Sequence, residues 1–452
     1  MSFTIDLNFL SFLFEGNIFY FIRQFLILIV ILLVLLIILR ICWKHWLDHI
    51  KKQYLAIQKY VLLSIDVPRD NEQGPEAIER FFSHLAGIKI KPTWREKYFE
   101  GHAQLDISLE IVSLEGQIRF LIYTPIQFRD LVEAAIYATY PGVEISEFDD
   151  YTKKIPDEFP NNEYDLWGAD IGLYNKNPFP IRTYPNFEHT LTKELKDPII
   201  DLLEILGKLQ KGEQVWIQFI IRPAGIEFKK QGEEIVKSMM GEKADQSENI
   251  VDKTSHTVVK IGQGISDFTA DALGVLFPTE AEKKREEKKI ISPGEKRVIE
   301  AIQNKISKIA FETRVRLIYI GEKQVFSRDR GVIGVLSAFN AVNTLDMNGL
   351  EPEKRTVIPQ RPKRVEKKKT AIKKAYQERA RYWRREPKGL TRILKTIAKF
   401  LAIDFKGYRK KNILNIEELA TLYHFPVVGI SPPLIKKTGS KRAEPPFSLP
   451  VK

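Results

Sequence analysis

The chain has 452 residues, 44% of them apolar and 28% charged, which describes a globular protein too long for one ordinary core and suggests two or three domains. A single cysteine, Cys42, excludes an intramolecular disulfide framework and any multi-cysteine metal site. The formal charge of +12 is localised: residues 354–411 carry 22 Lys and Arg against four acids, a balance of +18, which leaves −6 for the rest of the chain. A mildly acidic body with one strongly basic segment points to an anionic partner.

Residues 25–39 read FLILIVILLVLLIIL, with no polar atom in any side chain. Fifteen residues fall short of the roughly 20 that a bilayer needs. Arg23 and Arg40 flank the run and can snorkel, while Tyr20, Phe21, Ile22, Ile41 and Trp43 lengthen it. A buried helix of a soluble protein does not need apolarity on every face. Asp6 and Glu15 stand where a signal peptide would be basic, and no small-residue cleavage site follows. Positive charge gathers after the run, at Arg40, Lys44, Lys51, Lys52 and Lys59. The positive-inside rule then places residues 1–22 outside the inner (cytoplasmic) membrane and the bulk of the chain in the cytoplasm. A transmembrane and juxtamembrane helix is expected over residues 23–58, anchored by Arg23, Arg40, Trp43 and Lys44.

From Tyr60 the pattern becomes that of a mixed fold. Residues 60–66 read as a strand, 74–85 as a helix, and 103–112 and 118–124 as strands around the turn signal Glu115-Gly116. Residues 125–140 read as a helix with Leu131, Ala134, Ala135 and Ala138 on one face, and 143–148 as a strand. The order β-α-β-β-α-β predicts a ferredoxin-like module over residues 59–151. A similar order recurs over residues 152–352. Strands are expected at 166–174, 214–222 and 313–320, helices at 199–210 and 326–340, and an extended stretch at 344–350. A long insertion over about 226–307 contains helical stretches and a charged run at 280–289. The predicted class is α+β: a transmembrane helix, two ferredoxin-like modules in tandem, a basic helical segment over residues 353–411, and an extended Pro-rich tail over 412–452.

Chemistry-bearing motifs are few. The chain contains no G-x-x-x-x-G-K-[ST], G-x-S-x-G or H-E-x-x-H pattern. His45, Asp48 and His49 lie one turn apart on the juxtamembrane helix, too small a set for a metal site. No catalytic residue, metal or cofactor is expected, and the chain reads as a non-enzyme. In the basic segment, Lys367, Lys368, Lys369, Lys373, Lys374, Arg381, Arg384 and Arg385 are interleaved with Tyr376, Tyr382, Trp383 and Tyr408. Such a surface suits phosphates and stacked bases, and one that engages six phosphates loses roughly 10³-fold in affinity between 50 and 200 mM salt. Anionic lipid headgroups or an acidic protein partner would satisfy the same charges.

Several stretches resemble the region that precedes the motor domain in membrane-anchored conjugative ATPases and coupling proteins of type IV secretion systems. The most specific is EELATLYHFP (residues 417–426), followed by AEPP (443–446) and Leu449-Pro450. SPGEKRVIEAIQNKISK (292–308), AFNAVNTLDMNGLEP (338–352), EIVS (110–113) and AAIYATYP (134–141) are similar to the same region. The family's ATPase would begin where this chain ends, and no Walker motif can be carried over. The resemblance therefore implies a stand-alone membrane component of a DNA-transfer apparatus, within an oligomeric assembly, whose Walker-motif ATPase is a separate polypeptide. Leu422, Tyr423, His424, Phe425 and Pro426 would fill a groove on that partner, or alternatively Leu419, Leu422 and Phe425 cap this chain's own core. The competing expectation is an envelope scaffold that binds anionic lipid or protein and has no nucleic-acid role.

Overall fold

The computed structural model describes residues 18–68, 71–159, 161–187, 197–241, 291–354, 356–358, 362–379 and 412–427. Helix α1, Ile18–Ile57, runs uninterrupted for 40 residues, about 60 Å at 1.5 Å per residue. Its apolar run is covered by no other described part of the chain: Phe25 and Leu28 are more than 60% exposed. This helix is long and apolar enough to cross a membrane.

Gln58 and Lys59 lead from α1 into β1 (Tyr60–Asp66), followed by α2 (Pro75–Leu85), β2 (Ile107–Leu114), β3 (Gln117–Pro125), α3 (Arg129–Thr139) and β4 (Glu144–Glu147). Pro75 opens α2, and Ala77, Ile78, Phe81, Phe82 and Leu85 form its buried face. The turn between β2 and β3 places Glu115 and Gly116 at φ of 55° and 83°, the left-handed pair that suits a two-residue hairpin. The buried face of α3 differs from the expected one. It is Val132, Ala135, Ile136 and Thr139, while Leu131 and Ala134 face outward. Turning Val132 and Ile136 inward buries more apolar area than turning in three alanines and one leucine.

The second half runs β5 (Tyr164–Leu173), α4 (Ile200–Gly207), β6 (Glu213–Pro223), α5 (Glu227–Met240), α6 (Pro293–Ser307), β7 (Ala310–Glu322), α7 (Gly334–Asn340) and β8 (Leu350–Pro352). Helices α5 and α6 come from the expected insertion and share a small cluster of Val236, Ile299 and Ile302. Ser292 and Glu295 cap α6 reciprocally. The acidic-basic run at 280–289 lies outside the described residues. Of the stretch expected to be extended before β8, only Leu350 pairs as strand; residues 344–349 form a loop.

The strands described so far join one antiparallel sheet in the order β4-β1-β3-β2-β6-β7-β5-β8. Each half contributes its strands in the same relative order, but the halves do not close as separate sheets. Strand β2 pairs along its full length with β6, from Ile107↔Ile221 to Leu114↔Gln214. Both are buried on both faces, and leaving either as an edge would strand a row of backbone donors and acceptors.

The extended tail expected over residues 412–452 is corrected for residues 412–427, while residues 428–452 lie outside the described residues. β9 (Asn412–Asn415) and α9 (Ile416–Leu422) belong to the fold. Strand β7 begins before its partner β5 reaches it, and β9 fills that vacant edge, from Ala310↔Asn415 to Thr313↔Asn412. Asn415 and Glu418 form a reciprocal cap at the start of α9, a local signal that makes this stretch helical. Between β7 and α9, α8 (Pro362–Gln377) lies across the sheet face that carries Gly168, where an added Cβ would come within 3.0 Å of Ile372.

Candidate functional site

The expected docking residues are inside the protein. Leu422, Tyr423, His424 and Phe425 are buried, and only Pro426 is half-exposed. Phe425 meets Phe120 and Tyr140 edge-on at 5.1 and 4.9 Å, and Tyr423 meets Phe120 and Phe219 at 5.9 and 6.2 Å. Asn71 donates to the Pro426 carbonyl at 3.0 Å, which closes the first half over the end of this segment. These side chains complete the core between the two halves rather than present a face to a partner.

Two buried charge pairs fix that segment. Lys305 and Glu418 are 3.0 Å apart with no side-chain exposure, and Glu418 also accepts from the Ile181 backbone at 2.9 Å. Burial pushes the Lys305 ammonium below and the Glu418 carboxyl above its ordinary range, while each partner's charge opposes the shift. His424 lies with Nε2 2.6 Å from Asp197 Oδ1 and Nδ1 2.7 Å from the Ala420 carbonyl. Burial raises the Asp197 carboxyl, but the charge and hydrogen bond of His424 outweigh it and hold the group below its usual value. A carboxylate depressed in the folded state contributes stability above its unfolded pKa of about 4 and loses it as the pH falls through the folded value. Wild type is therefore expected to lose stability on acidification below about pH 4 more steeply than Asp197→Asn, as read from urea midpoints across that range.

The basic segment is partly drawn inward as well. Lys373 is buried, donates to the Ile155 carbonyl at 2.7 Å and pairs with Asp157. Lys369 pairs with Asp165, and Lys368 donates to the Val357 carbonyl at 3.0 Å. Tyr376, expected to stack on bases, is fully buried against Trp216. Lys367 and Lys374 remain exposed on α8, with Lys374 3.9 Å from Glu378. Arg381, Tyr382, Trp383, Arg384 and Arg385 lie outside the described residues. Lys373 turns inward because α8 crosses the segment linking the two halves, whose Ile155 carbonyl and Asp157 meet its ammonium.

Beneath α8 runs a row of polar residues that sequence reasoning missed. Glu110, Gln218, Arg316 and Asp170 lie directly opposite one another across β2, β6, β7 and β5. Glu110 accepts from Ser108, Gln218 and Arg379 through Oε1 and from the Tyr151 hydroxyl through Oε2 at 2.8 Å. The Tyr151 hydroxyl in turn meets that of Tyr376 at 2.8 Å. Arg316 donates to Asp170 at 2.9 Å and to the Ala375 carbonyl at 2.7 Å, and Gln218 donates to the Tyr376 carbonyl at 3.2 Å. Arg379 reaches Asp150 at 2.6 Å, whose carboxyl burial raises but whose bonds to Arg379 lower overall. The row thus satisfies the last carbonyls of α8 with side-chain donors and sets two guanidiniums at its negative end. The geometry is that of a clamp: each group is matched within the protein. A long polar side chain in the middle of a largely apolar strand, Glu110 in ISLEIVSL and Gln218 in EQVWIQFIIRP, was the available signal.

Arg23, Arg40, Trp43 and Lys44 are exposed on α1. Arg23 and Arg40 bracket the apolar run 17 residues apart, about 26 Å along the axis, close to the roughly 30 Å of a hydrocarbon core. Among the described residues no three His, Cys, Asp or Glu side chains gather to hold a metal ion. His49 faces Gln53 at 3.1 Å.

The profile of a domain of unknown function, DUF8128, matches residues 57–433. The chain belongs to the DUF8128 family. The matched region contains the whole described sheet, α8 and the buried C-terminal segment, while nearly all of α1 precedes it. The DUF8128 unit is therefore the sheet-containing body, and the polar row and both buried charge pairs fall inside it. No curated protein matches the chain.

Proposed function

We propose that this protein is a membrane-anchored, non-enzymatic assembly platform of a conjugative or type IV secretion-like DNA-transfer apparatus. The observation that carries the membrane part is an apolar helix exposed on every face and joined to the sheet by two residues. The charge asymmetry around that helix supports an N-terminus outside and a body in the cytoplasm. The two halves of the sheet, with strands in one repeated order, are read as ferredoxin-like modules fused edge to edge. The link to DNA transfer rests on the resemblance of the EELATLYHFP and neighbouring tracts to pre-motor regions, and it implies a Walker-motif ATPase supplied by another chain.

A second reading, an envelope scaffold without a nucleic-acid role, is favoured by one observation. Lys368, Lys369 and Lys373 are engaged with groups of the chain itself, which reduces the charge left for phosphates. The deciding experiment is purification of the full-length protein from mild detergent with mass-spectrometric identification of its partners, beside DNA binding across a salt series. Recovery of a Walker-motif ATPase, with DNA affinity that falls steeply in salt and is lost on Lys367, Lys374, Arg381, Arg384 and Arg385→Gln, supports the platform. Binding to anionic vesicles without ATPase or DNA supports the scaffold.

A further inference from the structure

A short π-helical turn, Glu96–Glu100, lies against α1 just beyond its apolar run. The Tyr98 ring packs 5.9 Å from Trp43 of α1, and Trp94 meets Tyr98 and Phe99 at 5.7 and 5.4 Å, so four rings form one continuous patch. That patch is open: Trp94 is 67% and Phe99 57% exposed, and contiguous exposed apolar surface marks a membrane or interface contact. The turn is held there by Gly101, at φ +73°, where a Cβ would lie 2.5 Å from the Ile50 carbonyl carbon of α1. Backbone therefore packs on backbone, and the turn keeps a defined height along the helix.

That height is the informative quantity. Trp43 follows Leu39, the last residue of the apolar run, by four residues, about 6 Å along the axis, which is headgroup depth if the run fills the hydrocarbon. Tyr98 touches Trp43 and so shares its depth. Lys91, Arg95 and Lys97 are exposed around the rings, and Lys44 is exposed on α1, all suited to phosphate headgroups.

We propose that the turn carrying Trp94, Tyr98 and Phe99 seats in the interfacial layer of the lipid bilayer as a second membrane contact, which fixes the orientation of the body on the membrane. The proposal rests on α1 crossing that bilayer. It gives the sheet one permitted face toward the membrane rather than free rotation about α1.

The test uses the full-length protein in phosphatidylcholine–phosphatidylglycerol vesicles, with Cys42→Ser as background and one environment-sensitive fluorophore attached through Phe99→Cys, Leu33→Cys or Leu345→Cys. Leu345 is fully exposed on the loop before β8, at the far end of the sheet from β1 and β4. Nitroxide lipids labelled at shallow or deep positions serve as quenchers. The expected result is deep quenching at 33, blue-shifted emission with shallow quenching at 99, and water-like, unquenched emission at 345. Deep quenching at 33 with water-like emission at 99 overturns the second contact and leaves the anchor standing. Blue-shifted emission at 99 that no nitroxide lipid quenches also overturns it, because a protein surface then covers the patch. Loss of lipid quenching at 33 overturns the anchor itself and the proposal with it.

Discussion

Replacing Lys305 with Met is expected to destabilise the protein by about 3–5 kcal/mol, because it leaves Glu418 buried without its counter-charge. Neither side chain of this pair has any exposure, and Glu418 also caps α9 and accepts from Ile181. In the variant the cheapest response of Glu418 is to take up a proton, the direction in which burial already pushes it. A carboxyl whose folded pKa is raised contributes most below its unfolded pKa and loses that contribution as the pH rises through the folded value. The deficit of Lys305→Met should therefore shrink toward pH 4 and grow toward pH 7. The double variant Lys305→Met, Glu418→Gln removes both charges and is expected to regain about 2 kcal/mol, short of full recovery because the single carbonyl oxygen of Gln cannot accept from both the Asn415 and Ile181 backbones. Urea unfolding in detergent, followed by far-ultraviolet circular dichroism, measures all three. A double-mutant coupling near zero would show that the pair does not hold α6 to α9.

Phe425→Ala should cost about 3–5 kcal/mol, and removal of residues 412–452 should prevent the sheet from folding. The ring is fully buried and met edge-on by Phe120 and Tyr140, from strand β3 and the end of α3. Its loss opens a cavity in a wall built by residues far apart in sequence, as the Asn71 bond to Pro426, 355 positions away, illustrates. Deletion does more: it strips β9 from β7 and exposes Phe120 and Phe219. The outcome separates two roles for this segment. A docking tail would lose its partner with the melting temperature unchanged. A core segment lowers the melting temperature first, and any partner loss follows from unfolding. Thermal melts of the Phe425→Ala protein beside partner recovery decide between them, and an unchanged melt would contradict the packing described here.

The strands illustrate what could be read directly. β1 was legible to the residue and β2, β3, β5, β6 and β7 within a few residues, because alternation and turn chemistry are local. The rotation of α3 was not legible, since Leu131 and Val132 are equally apolar and only the sheet beneath selects between them. The fusion of the halves through β2 and β6 was not legible either. Ile107 and Ile221 are more than a hundred residues apart, and nothing in either strand names its neighbour. The basic segment shows the same divide. Its charge was countable, but whether Lys373 faces water or the Ile155 carbonyl depends on where α8 lands.

By itself the sequence determined the apolar helix, its flanking arginines and the α+β class, since each shows in the pattern of residues close together in the chain. Tertiary structure alone decided that Tyr423, His424, Phe425, Tyr376 and Lys373 lie inside, and that Glu110, Gln218, Arg316 and Asp170 form one row. An aromatic or charged side chain is equally at home on a binding surface and in a satisfied interior. Which it becomes is settled by the partners that long-range strand pairing brings against it, and those partners leave no mark in the residues beside it.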